Sequence, residues 1–152
     1  MDFARCAATR EAIGRHYLHL GECQRRVYFG DGTNVAQKKL FYALRPAAAL
    51  RWLQMRPAEE AIAPMHFPTL MAECDLPAAL SAEVSDLMCR KAITRELGAA
   101  PLPVVVANFI DSEFEFARAS FESGRARAVE EVIRRAARFY RMVVERLERE
   151  GQ

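Results

Sequence analysis

The chain has 152 residues, of which 51% are apolar, and its formal net charge is +2. This length and apolar content are enough to bury one core, and we expect a single domain over residues 1–152. The small net charge excludes nucleic-acid binding by bulk electrostatics, so any such binding must depend on local clusters of cations. No apolar run is long enough to cross a bilayer and the N-terminal residues do not resemble a signal peptide, so we expect a soluble, cytoplasmic protein.

The first predicted helix runs from Phe3 to about Phe29, where apolar residues return at helical spacing. The following turn, Gly30 to Asn34, reads GDGTN, and glycine and asparagine tolerate the positive φ that ends a helix. Thr33 or Asn34 is expected to cap the next helix, and Asp31 is interpreted as a capping residue of the turn. The first two helices are therefore predicted to form an antiparallel hairpin.

The second helix contains the most unusual mixture of residues in the chain, QKKLFYALRPAAALRWL from Gln37 to Leu53. Five apolar residues recur at spacings of three and four and predict one buried stripe: Leu40, Phe41, Leu44, Ala48 and Trp52. Pro46 removes a backbone donor and costs roughly 3 kcal/mol inside a helix, so a kinked helix or two helical pieces are expected. Pro57 marks the end of this segment.

The remainder of the chain is also predicted to be helical, which makes the fold all-α, a bundle of about five to six helices. Residues 104–106 alone would suit a strand, but no second β-branched run is present to pair with it. An irregular stretch between Pro57 and Pro68 is followed by a short predicted helix at Thr69–Cys74. A longer helix is predicted from Pro77 to Leu97, ended by Gly98 and Pro101. Two more helices are predicted over residues 102–121 and, long and amphipathic, over Arg125–Glu150.

The cysteines and acidic residues do not predict a metal site. No cysteine spacing resembles that of a zinc site, so we expect reduced, mostly buried thiols: Cys6, Cys23, Cys74 and Cys89. Asp111, Glu113 and Glu115 alternate along a predicted helix, where residues two apart diverge by about 200°, so they are interpreted as a solvated face. His66, in a proline-bounded loop, has no evident partner. We expect no metal or cofactor in this chain.

Two groups of residues are candidate functional sites. Fixed cations beside a tyrosine could hold a polyphosphate or an RNA backbone, the alternative being a solvated helix face; this group comprises Lys38, Lys39, Tyr42, Arg45 and Arg51. The second group, Arg10 and His16, resembles the Arg-x(4–6)-His signature of the HEPN ribonucleases, which are also all-α. Its alternative is that His16 is an ordinary polar helix residue at an interface.

The central block of the chain resembles a family of predicted bacterial nucleotidyltransferases. The pattern is a helix with His-Tyr, a turn, then Lys-Lys-x-Phe-Tyr-x-Leu-Arg-Pro and Arg-Trp, carried here by His16-Tyr17, Lys38-Lys39, Phe41-Tyr42, Leu44-Arg45-Pro46 and Arg51-Trp52. That family belongs to the DNA polymerase β-type superfamily, and its proposed members include RNA-repair enzymes. The similarity covers roughly residues 3–115, more loosely at its end.

The resemblance implies the helical accessory half of such an enzyme. Catalytic domains of the superfamily carry Gly-Ser and a strand-borne Asp-x-Asp, and neither pair occurs in this sequence. The resemblance thus implies a domain that is inactive alone, whether as a fragment, a split gene product or a domain that lost its enzyme. It implies a separate catalytic domain as partner, with Mg²⁺, a nucleoside triphosphate and acceptor RNA as ligands.

Two other functions are compatible with the sequence. One is metal-independent RNA cleavage by Arg10 and His16. The other is a non-catalytic helical module that forms a homodimer through the predicted Arg125–Glu150 helix.

Overall fold

The computed structural model describes residues 9–93 and 98–121. The chain divides into two compact units, residues 1–118 and 119–152, and nearly all the described residues belong to the first unit. The described residues are mostly helical, which confirms the predicted fold class. In chain order the elements are α1 (Arg10–Tyr28), β1 (Val35–Ala36), α2 (Gln37–Met55), α3 (Phe67–Ala72), α4 (Ala78–Ile93), β2 (Ala99–Ala100) and α5 (104–121).

Helix α2 is the central element of this unit. It is continuous through Pro46, so of the two predicted alternatives, a kinked helix or two helical pieces, the second is wrong. The predicted apolar stripe is confirmed, because all five of its residues are buried. The opposite side is buried as well, at Ala43, Ala47 and Leu50 among others. A helix that is apolar nearly all round belongs inside a core, and α1, α3, α4 and α5 all contribute residues that contact it.

Helices α1 and α2 form the predicted antiparallel hairpin. The Cα of Gly21 on α1 lies against Pro46 of α2, and Tyr28, further along α1, lies against Lys39, further back on α2. The connecting turn also forms as predicted, with φ of +50° at Gly30 and +80° at Gly32.

Asp31 stabilises this turn, as predicted. The backbone N–H and the hydroxyl of Thr33 both donate to the Asp31 carboxylate, at 3.0 and 2.7 Å. These hydrogen bonds lower the pKa of Asp31, since they favour the ionised carboxylate.

The start of α2 differs from the prediction. Neither Thr33 nor Asn34 caps the helix; the capping residue is Ala36, which has no side chain to do so. Instead β1 pairs antiparallel with β2, with Val35 opposite Ala100, and the amide of Gln37 donates to the carbonyl of Gly98. A carbonyl from a distant segment therefore accepts from one of the amides at the start of α2 that have no partner within the helix.

Helices α3 and α4 are both present where short and long helices were predicted. Their buried side chains include Leu70, Leu80, Val84 and Leu87, whereas Ile93 at the end of α4 is 83% exposed. The expectation that His66 has no partner is wrong, since its Nδ1 lies 2.9 Å from the hydroxyl of Thr69 in the first turn of α3.

Helix α5 confirms that residues 104–106 are helical. It buries Phe109, Ile110, Phe114 and Ala117. Two ion pairs join it to α1 in antiparallel register: Arg25 with Asp111, and Glu22 with Arg118. The predicted helix at Arg125–Glu150, Cys6 and the predicted start at Phe3 lie outside the described residues. No helix among the described residues is long and apolar enough to cross a membrane.

The three cysteines among the described residues have free thiols, and only one of them is buried. Cys74 packs under α2, and its Sγ lies 3.2 Å from the carbonyl oxygen of Ala48, to which it donates. Burial raises the pKa of Cys74 to about 12. Cys23 is half-buried and Cys89 is exposed, so the expectation of mostly buried thiols is wrong for the described cysteines.

Candidate functional site

A cluster of one lysine and two tyrosines lies where the ends of the α1–α2 hairpin meet. The Lys39 ammonium is 4.4 Å from the ring centroid of Tyr28 and 4.9 Å from that of Tyr42. The two rings are 6.0 Å apart and meet edge to face, at 65°. Each cation–π contact at such a partly exposed site contributes roughly 0.5–1 kcal/mol, so the two together hold the ammonium in place. We call these three residues the Tyr–Lys cluster.

Lys38 and Arg45 extend the positive charge along α2. The two residues are seven positions apart, about 10 Å along the axis and on nearly the same side of the helix. Lys38 is exposed, and Arg45 is half-buried with Nη2 3.7 Å from the sulfur of Met65. Across residues 9–93 and 98–121, no carboxylate forms an ion pair with Lys38, Lys39 or Arg45.

The chemistry of this surface suits phosphate and aromatic ligands. Cations without acidic partners keep their full capacity to bind phosphate oxygens. Tyr42 is 42% exposed, so it can contact a ligand at the surface, where a tyrosine ring can stack on a base. Tyr28 was missed by sequence reasoning, although the predicted antiparallel hairpin already placed the end of α1 beside the start of α2.

Arg51 lies apart from this surface. Thirteen residues separate it from Lys38, about 20 Å along α2 and on another side of the helix. Its Nη1 is 3.7 Å from Oε1 of Glu113 on α5. The structure therefore brings together four of the five predicted phosphate-binding residues and separates the fifth.

Glu113 corrects the interpretation of the acidic triplet. Asp111 and Glu115 are exposed as expected, but the Glu113 side chain is only 8% exposed. Its Oε2 accepts a hydrogen bond of 2.7 Å from Nε2 of Gln54. Burial raises the pKa of Glu113, while the Gln54 hydrogen bond and the Arg51 charge oppose that rise. Glu113 was missed because residues two apart on a helix face different sides, and only the contacts of α5 show which of them faces inward.

The residues of the HEPN-like pattern have separate surroundings. Nη1 of Arg10 donates to the carbonyls of Pro57 and Glu60, at 2.6 and 2.9 Å. His16 lines a small hollow of about 330 Å³ together with Ile13, Tyr17 and Ile62, and Arg10 is not among its lining residues. In the described part of the chain, no three His, Cys, Asp or Glu residues are grouped so that they could hold a metal ion.

The chain is similar to a curated bacterial protein. It is 34% identical over 105 residues to the uncharacterized protein YcgL of Bacillus subtilis (strain 168). The alignment covers 69% of this chain and 39% of YcgL, so the chain spans well under half the length of that relative. No solved structure matches the chain.

A family match covers nearly the whole chain. The family described as the RNA repair pathway DNA polymerase beta family matches residues 2–141, nearly the whole chain and including every residue of the Tyr–Lys cluster. The chain therefore belongs to the RNA repair pathway DNA polymerase beta family.

Proposed function

We propose that this chain is the helical substrate-binding part of a nucleotidyltransferase that transfers nucleotides to RNA or another acceptor. In this proposal the α1–α2 hairpin binds phosphates of the nucleoside triphosphate or the acceptor, and a catalytic domain supplied by another chain or segment performs the transfer. The observation that carries the proposal is the Tyr–Lys cluster, with Lys38 and Arg45 beside it and no acidic partner for these cations among residues 9–93 and 98–121.

Each residue has a defined task in this proposal. Lys39 and Arg45 contact phosphate oxygens, and Arg45, with its planar guanidinium, can do so through two parallel hydrogen bonds. Lys38 adds charge at the exposed edge. Tyr28 and Tyr42 hold the Lys39 ammonium, and the exposed part of Tyr42 stacks on a base.

The metal chemistry is assigned to the partner domain. When Mg²⁺ is bound in a nucleotidyltransferase, it neutralises phosphate charge and orients the attacking hydroxyl. The described residues of this chain offer no group of carboxylates that fits such an ion. We therefore place Mg²⁺ and the catalytic carboxylates on the catalytic domain, and this chain contributes binding alone.

The binding claim is tested with a short fluorescent single-stranded RNA and with inorganic tripolyphosphate. In the double variant Lys39→Gln/Arg45→Gln, we expect affinity for both to fall at least tenfold. The slope of log affinity against log salt should decrease by roughly 1.4, because two cations no longer release counterions. The matched control is Lys91→Gln, which removes an exposed lysine that also lies over an aromatic ring, Phe41, at 4.5 Å. Equal losses in the control and the double variant would contradict the proposed site.

The division of labour is tested by activity. The purified chain, incubated with Mg²⁺, labelled nucleoside triphosphates and RNA, is expected to add no nucleotide, whereas addition should appear when a catalytic domain of the same family is supplied. Nucleotide addition by the chain alone would refute its role as a binding part.

A further inference from the structure

A second site lies between α2, the start of α4 and α5. It is a cavity of about 670 Å³, within the range of small-molecule sites in proteins. Its walls are largely apolar, formed by residues such as Leu80, Val105 and Phe109. Arg51, Asn108 and Glu113 supply polar groups to the same cavity. We call it the Arg51 cavity.

Arg51 and Glu113 leave hydrogen-bonding capacity unused. The 3.7 Å between Nη1 of Arg51 and Oε1 of Glu113 is too long for a hydrogen bond. Nε of Arg51 is buried and has no hydrogen-bond partner among the described residues. Gln54 donates to Oε2 of Glu113, and Oε1 faces Arg51 at ion-pair distance without a hydrogen bond from the described residues. Nε of Arg51 is therefore a buried donor without a hydrogen bond to the described residues, and leaving such a donor unsatisfied is costly.

The charges restrict the class of ligand. A carboxylate that approached Arg51 would meet the negative charge of Glu113, and an ammonium that approached Glu113 would meet Arg51. A neutral ligand that donates to Glu113 and accepts from Arg51 satisfies both residues at once. The apolar walls require that the rest of this ligand be a flat or compact apolar body.

We propose that the Arg51 cavity binds a nucleobase. Adenine, cytosine and guanine each present a donor next to an acceptor on one edge, with aromatic faces that suit walls such as Leu80 and Phe109. The choice of a nucleobase among neutral heterocycles rests on the proposed function. Arg51 lies twelve residues beyond Lys39, about 18 Å along α2, so the two sites bind independently and are tested separately.

The test uses neutral nucleosides, which lack the phosphates that Lys39 and Arg45 would bind; stacking on Tyr42 alone should shift only amides near Tyr42. Adenosine, cytidine, guanosine and uridine are titrated into ¹⁵N-labelled chain, with amide shifts as the readout. We expect saturable shifts at the cavity residues and an affinity loss of about tenfold or more in Arg51→Met, which removes the donors but keeps most of the side-chain volume. Val105→Trp is expected to abolish binding by filling the cavity from its half-buried wall. Its matched control is Val27→Trp, at an exposed valine of α1 outside the cavity lining.

Each outcome decides between the two proposals. Lys39→Gln/Arg45→Gln should leave nucleoside binding unchanged, and Arg51→Met should leave tripolyphosphate binding unchanged. Nucleoside binding without phosphate binding would sustain the cavity and overturn the proposed function at the Tyr–Lys cluster. The cavity proposal would be overturned if none of the four nucleosides gave saturable shifts, or if Arg51→Met bound them as tightly as the wild-type chain. Both results can be obtained even if Val105→Trp fails to fold.

Discussion

The ring of Phe114 occupies the space that a side chain at Gly21 would need. A Cβ at position 21 would stand 2.7 Å from Cε1 of Phe114 and 3.0 Å from Cβ of Pro46. The absence of a side chain at this position therefore allows α1, α2 and α5 to meet closely at one point. Because Phe114 is only 3% exposed and Pro46 is held by its helix, neither neighbour can move aside freely.

Gly21→Ala should therefore destabilise the protein. Alanine favours a helix by about 1 kcal/mol over glycine, but overpacking a core costs roughly 1–3 kcal/mol. We expect a net loss of about 1 kcal/mol in the free energy of unfolding, measured with urea. The loss should shrink in a Phe114→Leu background, since the two residues are in contact. Gly98→Ala is the control, because a Cβ there meets no atom within 4 Å. A stabilising Gly21→Ala would contradict this packing.

Glu113 should make stability fall as pH rises from acid toward neutral. Burial raises the pKa of Glu113 in the folded protein above its ordinary value of 4.5. The folded state thus holds a proton where the unfolded state has lost it, so the free energy of unfolding falls as pH rises from about 4.5 through the folded pKa. Glu113→Gln removes the group responsible for this slope. The free energy of unfolding of the variant, measured with urea, should therefore increase relative to that of the wild type as pH rises from 4 to 7.

The control for that measurement is Glu115→Gln, at an exposed position two residues further along α5. It should leave the difference from wild type nearly constant across the same pH range. If Glu113→Gln followed the wild-type curve in parallel, Glu113 would not be the group that responds.

Cys74 should produce a corresponding loss of stability at alkaline pH. Its pKa rises from 9.0 to about 12 on burial, so the unfolded thiol ionises first and the free energy of unfolding falls as pH rises from about 9 to about 12. Cys74→Ser retains a donor for the carbonyl of Ala48 and should flatten the curve between pH 9 and pH 11. Cys89→Ser, at an exposed site, should not. Alkylation at pH 8 should modify Cys89 rapidly, and equally rapid modification of Cys74 in the folded protein would contradict its burial.

Arg10 is expected to act structurally. Its two hydrogen bonds to the carbonyls of Pro57 and Glu60 tie the segment after α2 to the start of α1. Arg10→Ala should lower the free energy of unfolding by about 1 kcal/mol and increase proteolysis near Glu60. The HEPN-like alternative makes a different prediction: RNA cleavage in EDTA by the wild-type chain, lost in both Arg10→Ala and His16→Ala. That result would replace the structural interpretation of Arg10.

Local sequence patterns predict the helices well, but they predict less about which side of a helix faces inward. The spacing of Leu40, Leu44 and Trp52 defines one buried stripe of α2. Small residues such as Ala43 and Ala47 carry little hydropathic signal, so burial of the opposite side emerges only when other helices cover it. Glu113 shows the same limit, because its burial depends on Gln54 from another helix.

The candidate site was predictable in part for a similar reason. Lys39, Tyr42 and Arg45 are close in sequence and share one helix. Tyr28 lies on α1. To predict its contact with Lys39, one must know that α1 and α2 form a hairpin and also which residues of the two helices lie side by side. The pairing of β1 with β2 was not predictable, since two residues on each strand are too few for a pattern.

The β1–β2 pairing also brings together the two ends of the segment formed by residues 37–98. Val35 and Ala36 precede this segment and pair with Ala99 and Ala100, which follow it. The two strands are about 4.8 Å apart. Leu102 adds a further tie, since its amide donates to the carbonyl of Gly32. We therefore expect an insertion between α2 and α3 that spares the Arg10 contacts with Pro57 and Glu60 to leave both ends of the segment in place. The α1–α5 ion pairs and the β1–β2 pairing would then act as a frame that does not depend on the length of that stretch.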